Sequence, residues 1–373
     1  MQYPEQTTTH FSQIMQNMKQ IFLLLVLKVF FLLPLAAQTL EDQTAEISGT
    51  IVVVNKSGND VYFINRSDGE VLAKLPAGTE PHEVEISPDG RWAVVGNFGN
   101  RENPGNTLSV YDIRRLSLVR TINLGEHIRP HGIKWLAGTQ RVIVTSGPTS
   151  HLLEVNVRSG KISRAIQMGE EAPHMVASTP DNQKVFASSV RSGNVSVYDL
   201  TAGRVTGVFR SGEGAEGIDV SPDGKEVWVT NRGENTIAVF DTRTYRKLAS
   251  MPSADFPIRG RFTPDGRLFL VSNAQSGIIG VFDTRTREQV AAVKLQPPLP
   301  PGEDPGRYFA EFANTSVPIG IVAADNYTAY VANTRADVVS VICLRRFEII
   351  GHFAAGREPD GIGFSPIVPR RSR

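Results

Sequence analysis

A four-residue turn, Ser-Pro-Asp-Gly, recurs along the chain and limits its fold more than any other feature. It stands at 87–90 and 221–224, with the variants Thr-Pro-Asp-Asn at 179–182 and Thr-Pro-Asp-Gly at 263–266. Each turn lies between two short apolar runs, and the second run ends near an asparagine such as Asn231. Alternating runs bounded by Gly, Pro, Asn and Asp indicate β-strands. No segment after residue 40 has convincing helical periodicity, so we expect an all-β repeat protein.

The spacing of the repeat predicts a β-propeller. A proline, replaced once by alanine, opens the first strand of each unit, at Pro81, Pro130, Pro173, Ala215, Pro257, Pro318 and Pro359. Most of these markers lie about 42 residues apart, which is the length of a four-stranded blade. Three strands (near 51–55, 61–64 and 71–75) precede the first marker, and one at 360–364 has no blade after it. We therefore predict a seven-bladed β-propeller closed by a C-terminal inner strand that joins the N-terminal blade.

The N-terminal segment is typical of a targeting signal. Residues 21–37 read IFLLLVLKVFFLLPLAA, follow Lys19 and precede polar residues, as in a secretory signal peptide. Lys28 and Pro34 interrupt the run, which is shorter than the ~20 residues of a spanning helix. A retained anchor is the alternative, and contact with a membrane is expected only through an uncleaved signal. The predicted organisation is a signal peptide at 1–37, a linker at 38–46, the propeller at 47–366 and a tail at 367–373, in an extracytoplasmic (periplasmic or secreted) protein.

Composition and motifs exclude several classes of function. The single cysteine, Cys343, rules out an internal disulfide, a c-type haem attachment and a thiolate metal cluster. A formal net charge of +1 and the lack of an aromatic stacking stripe argue against nucleic-acid binding. The chain has no Gly-x-Ser-x-Gly, no phosphate-binding Gly-Lys-Ser/Thr and no Rossmann fingerprint after a strand. Covalent serine catalysis and a nucleotide cofactor are therefore disfavoured.

The second strand of each unit carries a resemblance to a known family. Trp228-Val229-Thr230-Asn231 and, less closely, Tyr330-Val331-Ala332-Asn333 resemble the motif of the YVTN-repeat β-propellers, which have a WD40-like repeat. The resemblance covers roughly residues 47–366. It implies a seven-bladed extracytoplasmic scaffold that serves binding, cell-surface and enzymatic roles. Related propellers include quinone-linked amine dehydrogenase subunits, haem-d1 and copper proteins, lactonases and metal-dependent lyases, so the resemblance specifies the fold but not the activity.

Two insertions are expected on the face at which the inner strands begin, called the top face below. One follows a second strand at 97–106, and the other spans 296–316 before the inner strand of the last unit. Long loops on a rigid scaffold are usually functional or disordered. The second insertion carries Tyr308, Phe309 and Phe312 and could fold over the central channel as a lid. Tolerated variation in length is the alternative.

The residue after each marker predicts a site at the top of the channel. In ring order these residues are Asp360, His82, His131, His174, Glu216, Ile258 and Ile319. Three histidines on adjacent strands, flanked by carboxylates, suit Zn, Mn, Fe or Ni and leave positions open for a substrate. We predict a divalent metal held by these histidines, with Glu216 or Asp360 as catalytic base or fourth ligand. Histidines that only bond buried carbonyls or channel water are the alternative.

Basic residues are expected on the same face. They are Lys56, Arg101, Arg191, Arg232 and Arg335, which lie in loops after second strands, and Arg259, which follows Ile258. Guanidinium groups bind carboxylates and phosphates in bidentate fashion, so these residues predict an anionic small-molecule ligand. Solvated loop charges are the alternative.

Three functions remain open at this stage. The first is an extracytoplasmic propeller that binds a small, anionic ligand and a metal ion at the channel mouth. The second is a metal-dependent lyase or lactone hydrolase that uses the same histidines and carboxylates, with an arginine neutralising the substrate. The third is a scaffold that binds a protein partner on the top face.

Overall fold

The structure is a computed structural model that describes residues 47–169, 171–300, 306–312 and 314–370. The predicted signal peptide and linker lie outside the described residues, as do the last three residues of the predicted tail. Among the described residues, no helix has the length and apolar character needed to cross a membrane.

Seven four-stranded antiparallel sheets account for the strands of the described chain. The strands of the first half are β1 (Thr50–Asn55), β2 (Asp60–Asn65) and β3 (Val71–Pro76) in blade 1; β4 (Pro81–Ile86), β5 (Trp92–Gly99), β6 (Pro104–Asp112) and β7 (Ser117–Asn123) in blade 2; β8 (Pro130–Trp135), β9 (Arg141–Ser146), β10 (His151–Asn156) and β11 (Lys161–Gln167) in blade 3; and β12 (Val176–Ser178), β13 (Lys184–Ser188), β14 (Asn194–Asp199) and β15 (Arg204–Arg210) in blade 4.

The second half repeats the pattern and adds one strand. Its strands are β16 (Ala215–Val220), β17 (Glu226–Asn231), β18 (Thr236–Asp241) and β19 (Lys247–Pro252) in blade 5; β20 (Pro257–Phe262), β21 (Leu268–Asn273), β22 (Ile278–Asp283) and β23 (Glu288–Lys294) in blade 6; β24 (Pro318–Ala323), β25 (Thr328–Asn333), β26 (Val338–Cys343) and β27 (Glu348–Ala354) in blade 7; and β28 (Pro359–Ser365).

The last strand closes the ring. β28 pairs antiparallel with β1, with Thr50 opposite Ser365 and Val53 opposite Ile362, so blade 1 has the strand order β28-β1-β2-β3. Pairing the two ends of the chain within one blade removes the free strand edges that an open ring would leave. The prediction of an all-β, seven-bladed propeller closed by its C-terminal inner strand is confirmed.

The recurring turn explains why each inner strand reverses where it does. In blade 2 the Ser87 hydroxyl donates to Asp89 at 2.5 Å, and the Gly90 N–H donates to the Ser87 carbonyl at 2.7 Å. Gly90 has a φ of 72°, in the left-handed region that glycine enters without steric cost. Asn182 takes this position in blade 4 with a φ of 56°, which asparagine tolerates.

Blades pack face to face, so their inner strands are buried on both sides. All residues of the inner strand β28 are buried except the half-buried Phe364, whereas the outermost strand β15 alternates exposed and half-buried positions. Trp228 is fully buried between blades 5 and 6, with its ring centroid 4.9 Å from that of Phe269 and 5.6 Å from that of Phe262. These apolar interfaces between blades hold the inner strands, and hence the channel mouth, in place.

The first insertion differs from expectation. Residues 97–106 were expected as a loop, but β5 and β6 extend into them and pair as far as Gly99 opposite Pro104. The insertion is therefore a hairpin that rises above the top face and carries Phe98. In the second insertion the described residues include a short 3-10 helix, Ala310–Phe312.

A bulge directs the residue after each marker. In blade 2, Pro81 pairs with Asn97 and Glu83 pairs with Gly96, which leaves His82 as an extra residue. The inner strands of blades 1, 3, 5, 6 and 7 have the same register shift at this point. A bulge turns a side chain out of the regular alternation, and here it does so beside the channel. Blade 4 differs, because β12 begins only at Val176 and His174 precedes it.

Candidate functional site

The three predicted histidines lie in a row at the top of the channel, called the histidine arc below. The ring centroids of His82 and His131 are 5.2 Å apart, and those of His131 and His174 are 4.0 Å apart. His82 and His131 are 4% and 5% exposed, whereas the side chain of His174 is 28% exposed. Only the blade 4 end of the arc is therefore open to solvent.

A carboxylate stands at each end of the arc. Asp360 Oδ2 lies 3.2 Å from His82 Nδ1, and Glu216 Oε1 lies 3.2 Å from His174 Nε2. Within the described part of the chain, three buried atoms between these ends have no hydrogen-bond partner: His82 Nε2, His131 Nδ1 and Asp360 Oδ1. Buried polar atoms are nearly always satisfied, so these atoms require a partner that the described residues do not supply.

Glu216 is held as an anion by two arginines. Its Oε1 accepts from Arg259 Nη1 at 3.0 Å, and its Oε2 lies 2.6 Å from Arg232 Nη1. Burial alone would raise the pKa of Glu216, but His174, Arg259 and Arg232 together lower it to about 2. Both arginines had been predicted to bind ligand. In the structure both form ion pairs with Glu216, and a contact between either arginine and a ligand stays a prediction.

Sequence reasoning missed a second partner of Arg259, the carboxylate of Glu83. Arg259 Nε and Nη2 donate to Glu83 Oε1 at 3.0 and 2.6 Å, and both residues are buried. Burial opposes the charge of Arg259, yet Glu83 and Glu216 raise its pKa above the ordinary value. One signal was available, because this second position after the marker is glycine in blades 1, 3, 5 and 7 and is charged only in blades 2 and 6.

At the opposite end of the arc Asp360 pairs with His82, and the pKa values of both residues are shifted. Burial and the charge of Glu83 raise the pKa of Asp360 to about 7, against the attraction of Arg259 and Lys56. Burial and the positive charges of Lys56 and Arg259 hold the pKa of His82 well below 6.5. Burial and its two neighbouring histidines do the same for the pKa of His131. The arc thus has an ionised carboxylate at one end and a carboxyl that exchanges its proton near neutral pH at the other.

The second insertion covers one side of the channel mouth. The Lys56 ammonium lies 3.0 Å from the ring centroid of Tyr308, and burial lowers the pKa of Lys56 despite nearby carboxylates. The N–H of Tyr308 donates to Glu358, and Arg307 forms an ion pair with Asp337 at 2.7 Å. Burial, Asp360 and Glu216 raise the pKa of Tyr308 to about 12.

An apolar cluster anchors this covering segment. The rings of Phe309 and Phe312 are stacked at 5.1 Å, and both contact Phe256. They pack against a buried group that includes Ile258 and Ile319, the two apolar residues that follow markers. The mouth above blades 6 and 7 is therefore closed by side chains.

The open side of the mouth is a cleft of about 620 Å³ above blades 2 to 4, called the top cleft below. Its lining combines histidines of the arc with arginines and apolar walls, and comprises Phe98, Arg129, His131, Gly147, Pro148, Ser150, Gly169, Ala172, Pro173, His174, Val190 and Arg191. Arg129 lies 5.0 Å above the Phe98 ring and donates to the Asn100 carbonyl. Sequence reasoning had not identified Phe98 or Arg129.

The other predicted basic residues have different surroundings. Arg191 is exposed and lines the top cleft, whereas Arg101 is exposed near the tip of the hairpin and is not part of the lining. Arg335 is half-buried, and its carbonyl accepts from Arg307 of the covering segment. Of the six basic residues predicted to bind ligand, Arg191 is therefore the one that lines the top cleft.

The histidine arc offers nitrogen donors to a metal but does not form a complete set of ligands. The unpartnered nitrogens of His82 and His131 are of the type that Zn, Mn, Fe or Ni prefers. In the described ranges, however, no three His, Cys, Asp or Glu side chains are arranged so that they could hold an ion. A metal at the histidine arc stays a prediction, with His82, His131 and His174 as its ligands.

Comparisons of sequence relate part of the chain to known proteins. Residues 203–296, about a quarter of the chain, match a family model described as lactonase, seven-bladed β-propeller. A dihydro-heme d1 dehydrogenase of Pseudomonas aeruginosa is 40% identical over 75 residues, which cover 17% of this chain and 14% of that protein. The chain therefore matches only a small part of that relative's length.

Comparisons of structure extend over most of the chain. A protein of unknown function from Desulfotomaculum acetoxidans aligns with a TM-score of 0.71 and 15% identity, covering 85% of this chain and 99% of its own. A hydrazine synthase chain of Kuenenia stuttgartiensis aligns with a TM-score of 0.63 and 20% identity, covering 79% of this chain and 92% of its own. At these identities the likeness concerns the propeller fold.

Proposed function

We propose that the protein binds a small anionic organic molecule in the top cleft. The proposal is supported by one observation: Arg129, Arg191 and the partly exposed side chain of His174 line the same open cavity. Arginine forms paired hydrogen bonds with carboxylates and is the preferred residue for such anions. Arg232 and Arg259 are engaged by Glu216 and do not compete for the ligand.

The lining also favours an organic ligand over a simple inorganic anion. Phe98, Pro148 and Val190 give the cleft apolar walls, and ligand sites typically combine such walls with a few polar groups. The His131 ring, which is 5% exposed, lies in the lining of the cleft. We therefore infer a carboxylate attached to an apolar or aromatic body.

Titration with a panel of organic acids and their neutral amides tests this proposal. The acids should bind, and Arg191→Ala should weaken binding by about ten- to a hundredfold, the loss expected for a charge-assisted hydrogen bond. Arg101→Ala is the matched control, because it removes an exposed arginine outside the cleft lining. Equal affinity for acids and amides, or equal effects of the two substitutions, would refute the proposal.

Lactone hydrolysis is the second candidate, favoured by the family match at residues 203–296, which include Glu216, Arg232 and Arg259. In this reaction His174, oriented by Glu216, takes a proton from water as the water oxygen bonds to the lactone carbonyl carbon. The ring C–O bond then breaks, and His174 returns the proton to the departing oxygen. The product is a hydroxy acid, whose carboxylate suits Arg129 and Arg191.

Hydrolysis is measured as acid release from neutral five- and six-membered lactones. His174→Gln should abolish turnover because it removes the base, and Glu216→Gln should lower turnover sharply because it removes the carboxylate that orients His174. Both variants should retain a cooperative thermal unfolding transition, since neither empties the channel. Arg101→Ala should leave the rate unchanged. Turnover that survives in His174→Gln would exclude this mechanism. A lyase reaction with the same residues is less favoured because the family match at residues 203–296 names a lactonase. A protein partner on the top face is less favoured because such a partner does not need the arginines of the cleft.

The location of the protein is also a proposal. The apolar segment at 21–37 and the likeness of the repeat to the YVTN motif support an extracytoplasmic propeller. Mass spectrometry of the N-terminus after secretion would test it, since cleavage near Ala37 is the expected result and a retained N-terminus in the cytoplasm would contradict it.

A further inference from the structure

Two histidines outside the arc lie in contact with each other, next to the loops that line the top cleft. His127 lies in the loop between β7 and β8, and His151 is the first residue of β10. Their ring centroids are 4.6 Å apart, and His127 is 7% exposed. Neither residue has a counterpart in the other blades. The pairing is therefore a local feature of blade 3 and not a consequence of the repeat.

Hydrogen bonds around Thr149 determine which nitrogen of each ring carries the proton. His151 Nδ1 lies 2.5 Å from the Thr149 carbonyl, which can only accept, so this nitrogen is the protonated one. The Ser146 hydroxyl donates to the Ile128 carbonyl at 2.7 Å. The Thr149 hydroxyl, 2.7 Å from Ser146 Oγ, must therefore donate to it.

That assignment leaves the Thr149 hydroxyl as an acceptor for His127. His127 Nδ1 lies 3.3 Å from Thr149 Oγ1 and is therefore the donor. Both imidazoles thus carry their proton on Nδ1 and have their lone pair on Nε2, and among the described residues neither Nε2 is buried without a partner. A histidine whose Nδ1–H is bonded to an oxygen while Nε2 remains free has the arrangement found in metal-binding histidines.

We propose that His127 and His151 bind one divalent transition-metal ion through their Nε2 atoms. Two neutral imidazoles suit Cu²⁺, Ni²⁺ or Zn²⁺, and water or a bound anion completes the coordination. The carboxylate of Glu126 acts on His127 and adds negative charge beside the site. The pair supplies only two protein ligands, so the proposed site is open and does not require a closed set of three or more side chains.

The ion would join two loops that build the top cleft. His127 stands two residues before Arg129, and His151 follows Gly147, Pro148 and Ser150, all of which line that cleft. The metal site itself does not depend on the proposed ligand. It can therefore be tested with metal alone.

The test is titration of the purified, metal-free protein with Cu²⁺, Ni²⁺ and Zn²⁺. A His131→Ala background removes the centre of the histidine arc, and there one equivalent should bind, most tightly for Cu²⁺. His151→Ala should abolish this binding, and Thr149→Val should weaken it by about 10- to 100-fold, because it removes an outer hydrogen bond of a ligand. His352→Ala, on an outer strand of blade 7, is the control and should have no effect.

Nuclear magnetic resonance of ¹⁵N-labelled imidazoles gives a readout on the unaltered fold. In the parent protein His127 and His151 should carry a proton on Nδ1, and metal should shift their Nε2 signals first. The proposal is overturned by the absence of saturable binding in the His131→Ala background. It is equally overturned by binding that persists in His151→Ala, or by Nε2 protonation of either ring.

Discussion

Arg259 and Glu83 are joined across the central channel, 176 residues apart in sequence, by hydrogen bonds of 2.6 and 3.0 Å. They lie on the inner strands of blades 6 and 2. The third nitrogen of Arg259 reaches Glu216, which in turn bonds His174 at the open end of the arc. One buried arginine therefore connects the carboxylate beneath the mouth to the histidine that faces the top cleft.

Glu83→Ala should lower the free energy of unfolding by about 3–5 kcal/mol, because it leaves the buried Arg259 without one of its two carboxylates. Chemical denaturation with a constant m-value would measure this loss. Glu348→Gln removes one partner of an exposed ion pair with Arg346 and should change stability by at most about 1 kcal/mol. A Glu83→Ala protein as stable as Glu348→Gln would mean that the pair across the channel is not formed.

Asp360 should make stability fall as pH rises from about 4 to 7. Its pKa is raised from 3.8 to about 7, so in this window the folded state holds a proton that the unfolded state releases. The expected slope approaches 1.4 kcal/mol per pH unit, and Asp360→Asn should remove it. Below about pH 4 the sign reverses, because the pKa of Glu216 is lowered to about 2 and its ion pairs are lost as it gains a proton.

Denaturation of the parent and the Asp360→Asn variant at half-unit steps of pH would measure this difference. Asp68→Asn, at an exposed aspartate, is the control and should follow the parent curve. Parallel curves for the parent and Asp360→Asn between pH 4 and 7 would contradict a raised pKa at Asp360.

The fold could be predicted from sequence because its signals are local. Turn chemistry at residues such as Gly90, and the even spacing of the markers, indicate strands and blades without knowledge of distant contacts. The residue after each marker could also be identified, since the bulge that directs His82 to the channel recurs in most blades. The leftover strand at 360–364 predicted the closure that β28 and β1 make.

The electrostatics of the site could not be predicted in the same way. Whether Arg259 is free or engaged depends on Glu83, and only the assembled ring brings these two residues together. Arg232 and Arg259 were predicted as ligand-binding residues for the same reason, because their pairing with Glu216 cannot be seen along the chain. Arg129 was not predicted as a site residue because it precedes a marker, whereas the candidate channel residues follow one.

Ala172→Trp should block ligand binding without unfolding the protein. Ala172 lines the top cleft and is half-buried. A large side chain at this position would therefore occupy the cleft. We expect affinity for organic acids to fall at least tenfold, with stability within about 1 kcal/mol of the parent. Unchanged affinity in a calorimetric titration would move the binding site elsewhere.

The histidine arc can be tested for metal by elemental analysis of the purified protein. Near-stoichiometric Zn, Mn, Fe or Ni in the parent, lost when His82, His131 and His174 are all replaced by Ala, is the result the sequence predicts. His127→Ala and His151→Ala should leave this metal in place, which separates it from the pair on blade 3. If none of the four metals binds to the arc when each is offered, its unpartnered nitrogens serve an organic ligand or water instead.

Closure of the ring should decide whether the propeller folds at all. Removal of residues 359–373 deletes β28, leaves β1 as an unpaired edge and exposes the apolar contacts that Ile362 makes in the core shared by blades 7 and 1. An exposed strand edge promotes association between chains, so we expect aggregation or loss of the cooperative thermal transition. Removal of residues 371–373 alone keeps β28 and is the matched control. A monomeric, cooperatively folded protein without β28 would show that blade 1 does not need the C-terminal strand.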